Sequence, residues 1–128
     1  MNLGDAVSCK VLGGVGAKSG EHVLSVSTTK RSGSIARDAD VTGGVASISC
    51  FAWVRSANSA QIEGSLNLWQ LGPNPQRGIP AVFKVGPQWQ LVTCTLGFSN
   101  VSAPKRVRAE IYVNTTSHDL YVDSINVF

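Results

Sequence analysis

The stretch Arg106-Val107-Arg108-Ala109-Glu110-Ile111-Tyr112-Val113-Asn114 decides the fold. Val107, Ala109, Ile111 and Val113 alternate with Arg106, Arg108, Glu110, Tyr112 and Asn114. Successive side chains of a strand leave opposite faces, so this period of two predicts a half-buried strand with the four apolar residues inward. The same reading extends outward along the chain. In 63–71, Leu66 and Leu68 form the inward set and turn Ser65, Asn67 and Trp69 out. In 45–55, Cys50, Ala52 and Val54 point inward, leaving Phe51, Trp53 and Arg55 on the opposite side. In 89–98, Val92, Cys94 and Leu96 are core, and Trp89 is expected to close one end of the sandwich.

Strands are predicted at 5–12, 21–29, 33–41, 45–55, 63–71, 78–85, 89–98, 106–114 and 119–127. Turn signals separate them, among them Gly13-Gly14, Ser19-Gly20, Ser32-Gly33, Gly43-Gly44, Gly72-Pro73-Asn74-Pro75, Gly86-Pro87 and Ala103-Pro104. Gly, Pro, Asn and Ser take turn conformations that interrupt a ladder. No stretch shows a capped helical period. About nine short strands punctuated by turns indicate one all-β domain over 1–128, a β-sandwich or a barrel.

Composition agrees and narrows the function. The chain has 128 residues, 43% hydrophobic and 15% charged, enough for one core and too apolar for a disordered chain. Its apolar runs are too short for a transmembrane helix. The net charge of +3 comes from 11 basic and 8 acidic residues. Most basic residues are scattered, which argues against a nucleic-acid stripe. The one dense cluster, Lys105, Arg106 and Arg108, reads as a strand edge protected by charge, with contact to an acidic polysaccharide or nucleic acid as the alternative. Cys9, Cys50 and Cys94 lack metal-ligand spacing and read as free thiols, buried at Cys50 and Cys94, in preference to a Cys50–Cys94 bridge. The first residues show no secretory signal, so Met1 opens either a cytosolic protein or a module of a longer secreted chain.

If their strands share a sheet, one outward face gathers Trp53, Arg55, Asn67, Trp69, Arg108, Glu110 and Tyr112. Sugar rings have apolar C–H faces and polar edges, so a glycan site needs flat aromatics for the first and planar hydrogen-bonding groups for the second. This set supplies both, with Gln70 as a further candidate. Catalysis finds less support. His22 and His118 lie in or beside turns without a nucleophile motif, and Glu110 alone on that face does not make a carboxylate dyad. Asp123 interrupts an apolar final strand whose alternation becomes ambiguous there, as a bulge would produce. Such a carboxylate is either hydrogen-bonded within the fold or holds calcium.

Several segments carry a family pattern in order. Lys18–Val26 resembles an "SG-x-x-x-L-x-V" opening, and Phe51-Ala52-Trp53-Val54-Arg55-Ser56 an "f-x-a-W-V-r-s" strand. Phe83–Val92 resembles an "F-x-V-G-x-x-W-x-x-V" hairpin, while Arg108–Val113 and Asp119–Asp123 match closing "r-a-e-I-Y" and "d-L-y-v-D" strands. Across residues 18–123 the chain resembles the jelly-roll carbohydrate-binding modules of families four, nine, sixteen and twenty-two.

The resemblance implies a β-sandwich jelly roll of two antiparallel sheets that binds a β-linked polysaccharide, such as xylan, β-glucan or mannan, in a cleft on its concave sheet. It implies a non-catalytic, monomeric module of a secreted protein, covalently linked to a glycoside hydrolase or similar enzyme, with no membrane partner. It places ligand contacts at Trp53, Glu110 and Tyr112. It further implies a structural calcium held by Asp123 and an N-terminal acidic residue, for which Asp5 is the nearest candidate, although the family's usual Phe-Glu pair is missing there. The alternative is a protein-interaction or cell-surface structural domain on the same sandwich, since a fold does not fix a function.

Overall fold

Ten strands are divided between two layers in the structure, a computed structural model that describes residues 2–3, 6–14, 16–18, 20–41, 45–72, 77–98 and 105–128. They are β1 (Asn2–Leu3), β2 (Val7–Gly13), β3 (His22–Thr28), β4 (Gly33–Val41), β5 (Ser47–Ser56), β6 (Ile62–Gly72), β7 (Arg77–Val85), β8 (Gln90–Gly97), β9 (Lys105–Val113) and β10 (Leu120–Val127). A front sheet has the order β1-β4-β9-β6-β7 and a back sheet the order β2-β3-β10-β5-β8, with every pairing antiparallel. This is a jelly-roll β-sandwich. Nine strands lie where the period of two places them. The two-residue β1 is too short to show any period.

Alternation builds the core. Ile35, Leu66, Leu68, Val107, Ala109, Ile111 and Val113 of the front sheet are buried against Val26, Cys50, Ala52, Val54, Val92, Leu96, Leu120 and Val122 of the back sheet. Each large aliphatic side chain so buried contributes about 1.5–3 kcal/mol relative to exposure. Gly64 allows close packing: a Cβ there would collide with the Tyr112 carbonyl oxygen and lie 2.6 Å from the Phe83 ring.

Two features depart from regular sheet. The register of β10 against β5 shifts between Asp123 and Asn126, and Ser124 adopts a φ of 58°. That is the bulge the sequence suggested at Asp123. The front sheet ends at β7, where Pro80 sits in the strand and Val82 is 83% exposed. Proline lacks a ladder N–H and belongs at such an edge.

The basic cluster needs correction. β9 is the central strand of the front sheet, not an edge. Its cations pair across the ladder instead: Asp38 lies opposite Arg108, and Asp40 opposite Arg106.

Candidate functional site

The seven outward residues do not share a face. Trp53 and Arg55 lie on β5 of the back sheet, whereas Asn67 and Trp69 on β6 and Arg108, Glu110 and Tyr112 on β9 lie on the front sheet. Period-two alternation distinguishes inside from outside but carries no information on which layer a strand joins. The expected single face is therefore two faces on opposite sides of the molecule.

On the back, the chain supplies its own partners. The Lys18 ammonium sits 4.3 Å from the centre of the Trp53 ring. The Arg55 guanidinium lies 5.1 Å from the Trp89 ring and 4.7 Å from the Tyr121 ring, and its Nη1 donates to the Ser56 carbonyl at 3.0 Å. The Trp89 indole N–H donates to the Gly16 carbonyl at 3.0 Å, joining it to the segment between β2 and β3. Cations over aromatic faces contribute about 0.5–2 kcal/mol each. Trp53 and Arg55 are thus engaged within the fold.

On the front, register sets out rows of side chains. Tyr112 has Ser34 on one side and Ser65 on the other; Glu110 has Ala36 and Asn67; Arg108 has Asp38 and Trp69. On the far side of β6, Gly78, Pro80 and Val82 continue the same rows. One carboxylate organises the middle. Glu110 accepts from the Ser34 hydroxyl at 2.7 Å and from the Tyr112 hydroxyl at 2.8 Å. Burial, reinforced by the bond to Glu110, pushes the Tyr112 hydroxyl above the usual phenol range. A second carboxylate is clamped by a guanidinium: Arg108 donates from Nε at 2.7 Å and from Nη2 at 3.1 Å to the two oxygens of Asp38. That bidentate hydrogen bond holds Asp38 below the ordinary carboxylate range. Arg106 approaches Asp38 at 3.5 Å and Asp40 at 3.8 Å from the solvent side.

The Trp69 ring lies against the backbone of Gly78, where a Cβ would come within 2.5 Å of two indole carbons. Glycine at 78 is what lets the indole settle across β7. Among the described residues, two buried polar atoms of this face find no hydrogen-bond partner, Asn67 Oδ1 and Trp69 Nε1. The Trp69 indole N–H lies beside the Tyr112 hydroxyl, offsetting part of its rise, but falls short of a hydrogen bond. Leaving a buried polar group unpaired costs about 1–3 kcal/mol, and such groups are concentrated where function requires them.

The sequence reading missed Ser34, Asp38 and Asp40, although the alternation of 33–41 turns all three out. It also missed Gly78, Pro80 and Val82, which the face shares through β7. It assigned Gln70 to ligand contact, but Gln70 is buried on the other side of β6. Among the described residues the face accordingly carries four carboxylates, Asp38, Asp40, Glu110 and Glu63, the last paired with Lys84 of β7 at 3.6 Å, rather than Glu110 alone.

The resemblance places a calcium at Asp123, Asp5 and carbonyls near the Ser19-Gly20 turn. Asp123 is 8% exposed on the back sheet opposite Trp53, and its Oδ1 accepts from the Ser124 hydroxyl at 3.1 Å. Asp5 and Ser19 lie outside the described residues. Among the described residues no three His, Cys, Asp or Glu side chains gather in one place. No helix of the described chain is long and apolar enough to cross a membrane.

No protein-family model matches the sequence, and no curated protein matches it significantly. Solved structures share its fold. The CBM22-1 xylan-binding domain from Paenibacillus barcinonensis Xyn10C superposes with a TM-score of 0.69 at 12% identity, over 98% of this chain and 83% of that one. The CBM22-1–GH10 modules of Clostridium thermocellum xylanase Xyn10B, complexed with xylohexaose, give 0.71 at 10% identity, over 95% of this chain and 25% of that one. TmCBM61, in complex with β-1,4-galactotriose, gives 0.60 at 16% identity, over 95% and 86%. The architecture is therefore that of the jelly-roll carbohydrate-binding modules, across nearly the whole chain.

Proposed function

We propose that the protein is a non-catalytic glycan-binding module whose site is the outer face of the front sheet. Trp69 is the stacking platform, with Tyr112 beside it; Asn67, Glu110 and the Ser34–Tyr112–Glu110 network read hydroxyls. Pro80 and Val82 extend the apolar strip along which a chain of sugar rings would lie. The observation that carries this reading is a half-buried indole seated on glycine beside the Ser34–Glu110–Tyr112 hydrogen-bond network. A polyhydroxylated ligand offers both donors and acceptors to that network.

The electrostatics favour a neutral polymer such as xylan, β-glucan or mannan over a polyuronate. Among the described residues four carboxylates, Asp38, Asp40, Glu63 and Glu110, face three cations, and Arg106, Arg108 and Lys84 each already contact a carboxylate. Hydrolysis is disfavoured because Arg108 holds Asp38 ionised and so denies it the role of general acid. In this reading the module belongs to a longer secreted chain and directs an attached carbohydrate-active enzyme to its polymer, without nucleic acid or membrane contact.

Affinity electrophoresis through gels containing xylan, β-glucan, mannan or a polyuronate tests it. Retardation by a neutral polymer, lost in Trp69→Ala and kept in Trp53→Ala, is the expected result. Retardation by the polyuronate alone would overturn the ligand class. No retardation by any polymer, with a partner protein co-purifying, would replace the reading with that of an interaction domain.

A further inference from the structure

Cys50 on β5 and Cys94 on β8 are direct antiparallel partners, flanked in the same register by Ile48 opposite Leu96 and Ala52 opposite Val92. Both are thiols pointing into the core, 0% and 8% exposed, with their sulfurs 3.3 Å apart. Direct antiparallel partners have Cα atoms about 4.5–5.5 Å apart, inside the span of roughly 4.4–6.8 Å that a disulfide bridges. The two sulfurs can therefore bond by side-chain adjustment, without moving either strand. Cys9 is excluded as a partner by topology, because β2 is separated from β5 by β3 and β10.

We propose that Cys50 and Cys94 form a latent cross-strand disulfide that closes under oxidising conditions and fastens the edge strand β8 to the back sheet. This modification site lies away from the glycan face and does not rest on the glycan reading. The oxidant is a small disulfide such as glutathione disulfide. A Cys94 thiolate attacks it, forms a mixed disulfide and releases one glutathione thiolate. The Cys50 thiol then gives its proton to solvent, attacks the Cys94 sulfur and expels the second glutathione thiolate. Two protein S–H bonds are lost, one S–S bond forms, and one glutathione disulfide becomes two glutathiones. Cys94 is suited to the first step, since it lies on the edge strand and its hydrogen bond from Cys50 favours its thiolate. Burial of both sulfurs confines exchange to folding or to transient opening of β8.

The test uses the Cys9→Ser protein, unfolded and refolded in glutathione buffers from reducing to oxidising. In the oxidising buffer the expected product is a monomer lighter by about 2 Da, the mass of two hydrogens, with no thiol titratable after denaturation. Proteolysis should yield one linked peptide pair containing Cys50 and Cys94. The bridge closes a loop across 44 positions, so its Tm should exceed that of the reduced protein by about 10 °C. Two free thiols in folded protein from the oxidising buffer would overturn the proposal, as would only glutathione adducts, only intermolecular dimers, or a bridge that lowers Tm. Should Cys9→Ser fail to fold, the same mapping on the natural sequence, with free thiols alkylated before digestion, decides between a Cys50–Cys94 link and none.

Discussion

The two outer faces of this sandwich carry much the same residue types and put them to opposite uses. On the back, Trp53 and Trp89 lie under or beside Lys18 and Arg55, and the Trp89 N–H reaches a carbonyl of the same chain. On the front, both arginines engage carboxylates, the Trp69 ring rests on Gly78, and its N–H finds no partner among the described residues. Aromatic and cationic residues turned outward do not by themselves mark a ligand face. What separates the two is whether the chain has already satisfied them.

The sharpest break of this contrast is a pair of alanine substitutions. Trp69→Ala should weaken retention on the bound polymer at least tenfold, about 1.4 kcal/mol, and leave the urea midpoint nearly unchanged. Trp53→Ala should do the reverse, costing about 1–3 kcal/mol of stability in urea unfolding while retention persists. Equal loss of retention in both variants would dissolve the distinction.

A smaller effect isolates the seat of the indole from the indole itself. Gly78→Ala adds a Cβ that would stand 2.5 Å from the ring, so the ring must shift off β7. Retention should fall several-fold, and Trp69 fluorescence should change in a Trp53→Phe, Trp89→Phe background. Unchanged retention and emission would show that the ring does not depend on that seat.

The smallest effect concerns the charged end of the front face. The folded pKa of Asp38 is depressed, chiefly by the hydrogen bond from Arg108. The unfolded chain therefore binds the proton more readily. The stabilisation is fully present above about pH 4, the ordinary range of an aspartate, and is lost as pH falls through the lower folded value. Asp38→Asn should be less stable than the natural protein at pH 7, with the gap in urea midpoint narrowing progressively as the pH falls below the ordinary aspartate range. A gap that is constant with pH would assign the loss to packing.

Strand positions were legible because period-two alternation is written in consecutive residues such as Val107, Ala109 and Ile111. Layer membership was not legible. Trp53 and Trp69 present the same local pattern, an outward tryptophan between buried neighbours, and only the ladder partners of β5 and β6 separate them. Asp38 and Asp40 could have been found, since 33–41 alternates as clearly as 106–114. Their pairing with Arg108 and Arg106 could not, because it depends on β4 lying beside β9, which for Asp38 and Arg108 spans 70 residues. The bulge at Asp123 was visible as a break in alternation, since the inserted residue leaves its trace in the sequence.

Pro80 has a consequence for crowding. Its strand is the open margin of the front sheet, and a margin with a free N–H at every second residue would invite another copy to zip on. Lacking that donor, β7 offers an interrupted template, even though Val82 beside it is largely bare. Many copies could stand side by side along one polymer at high local concentration, and their sheets would stay separate.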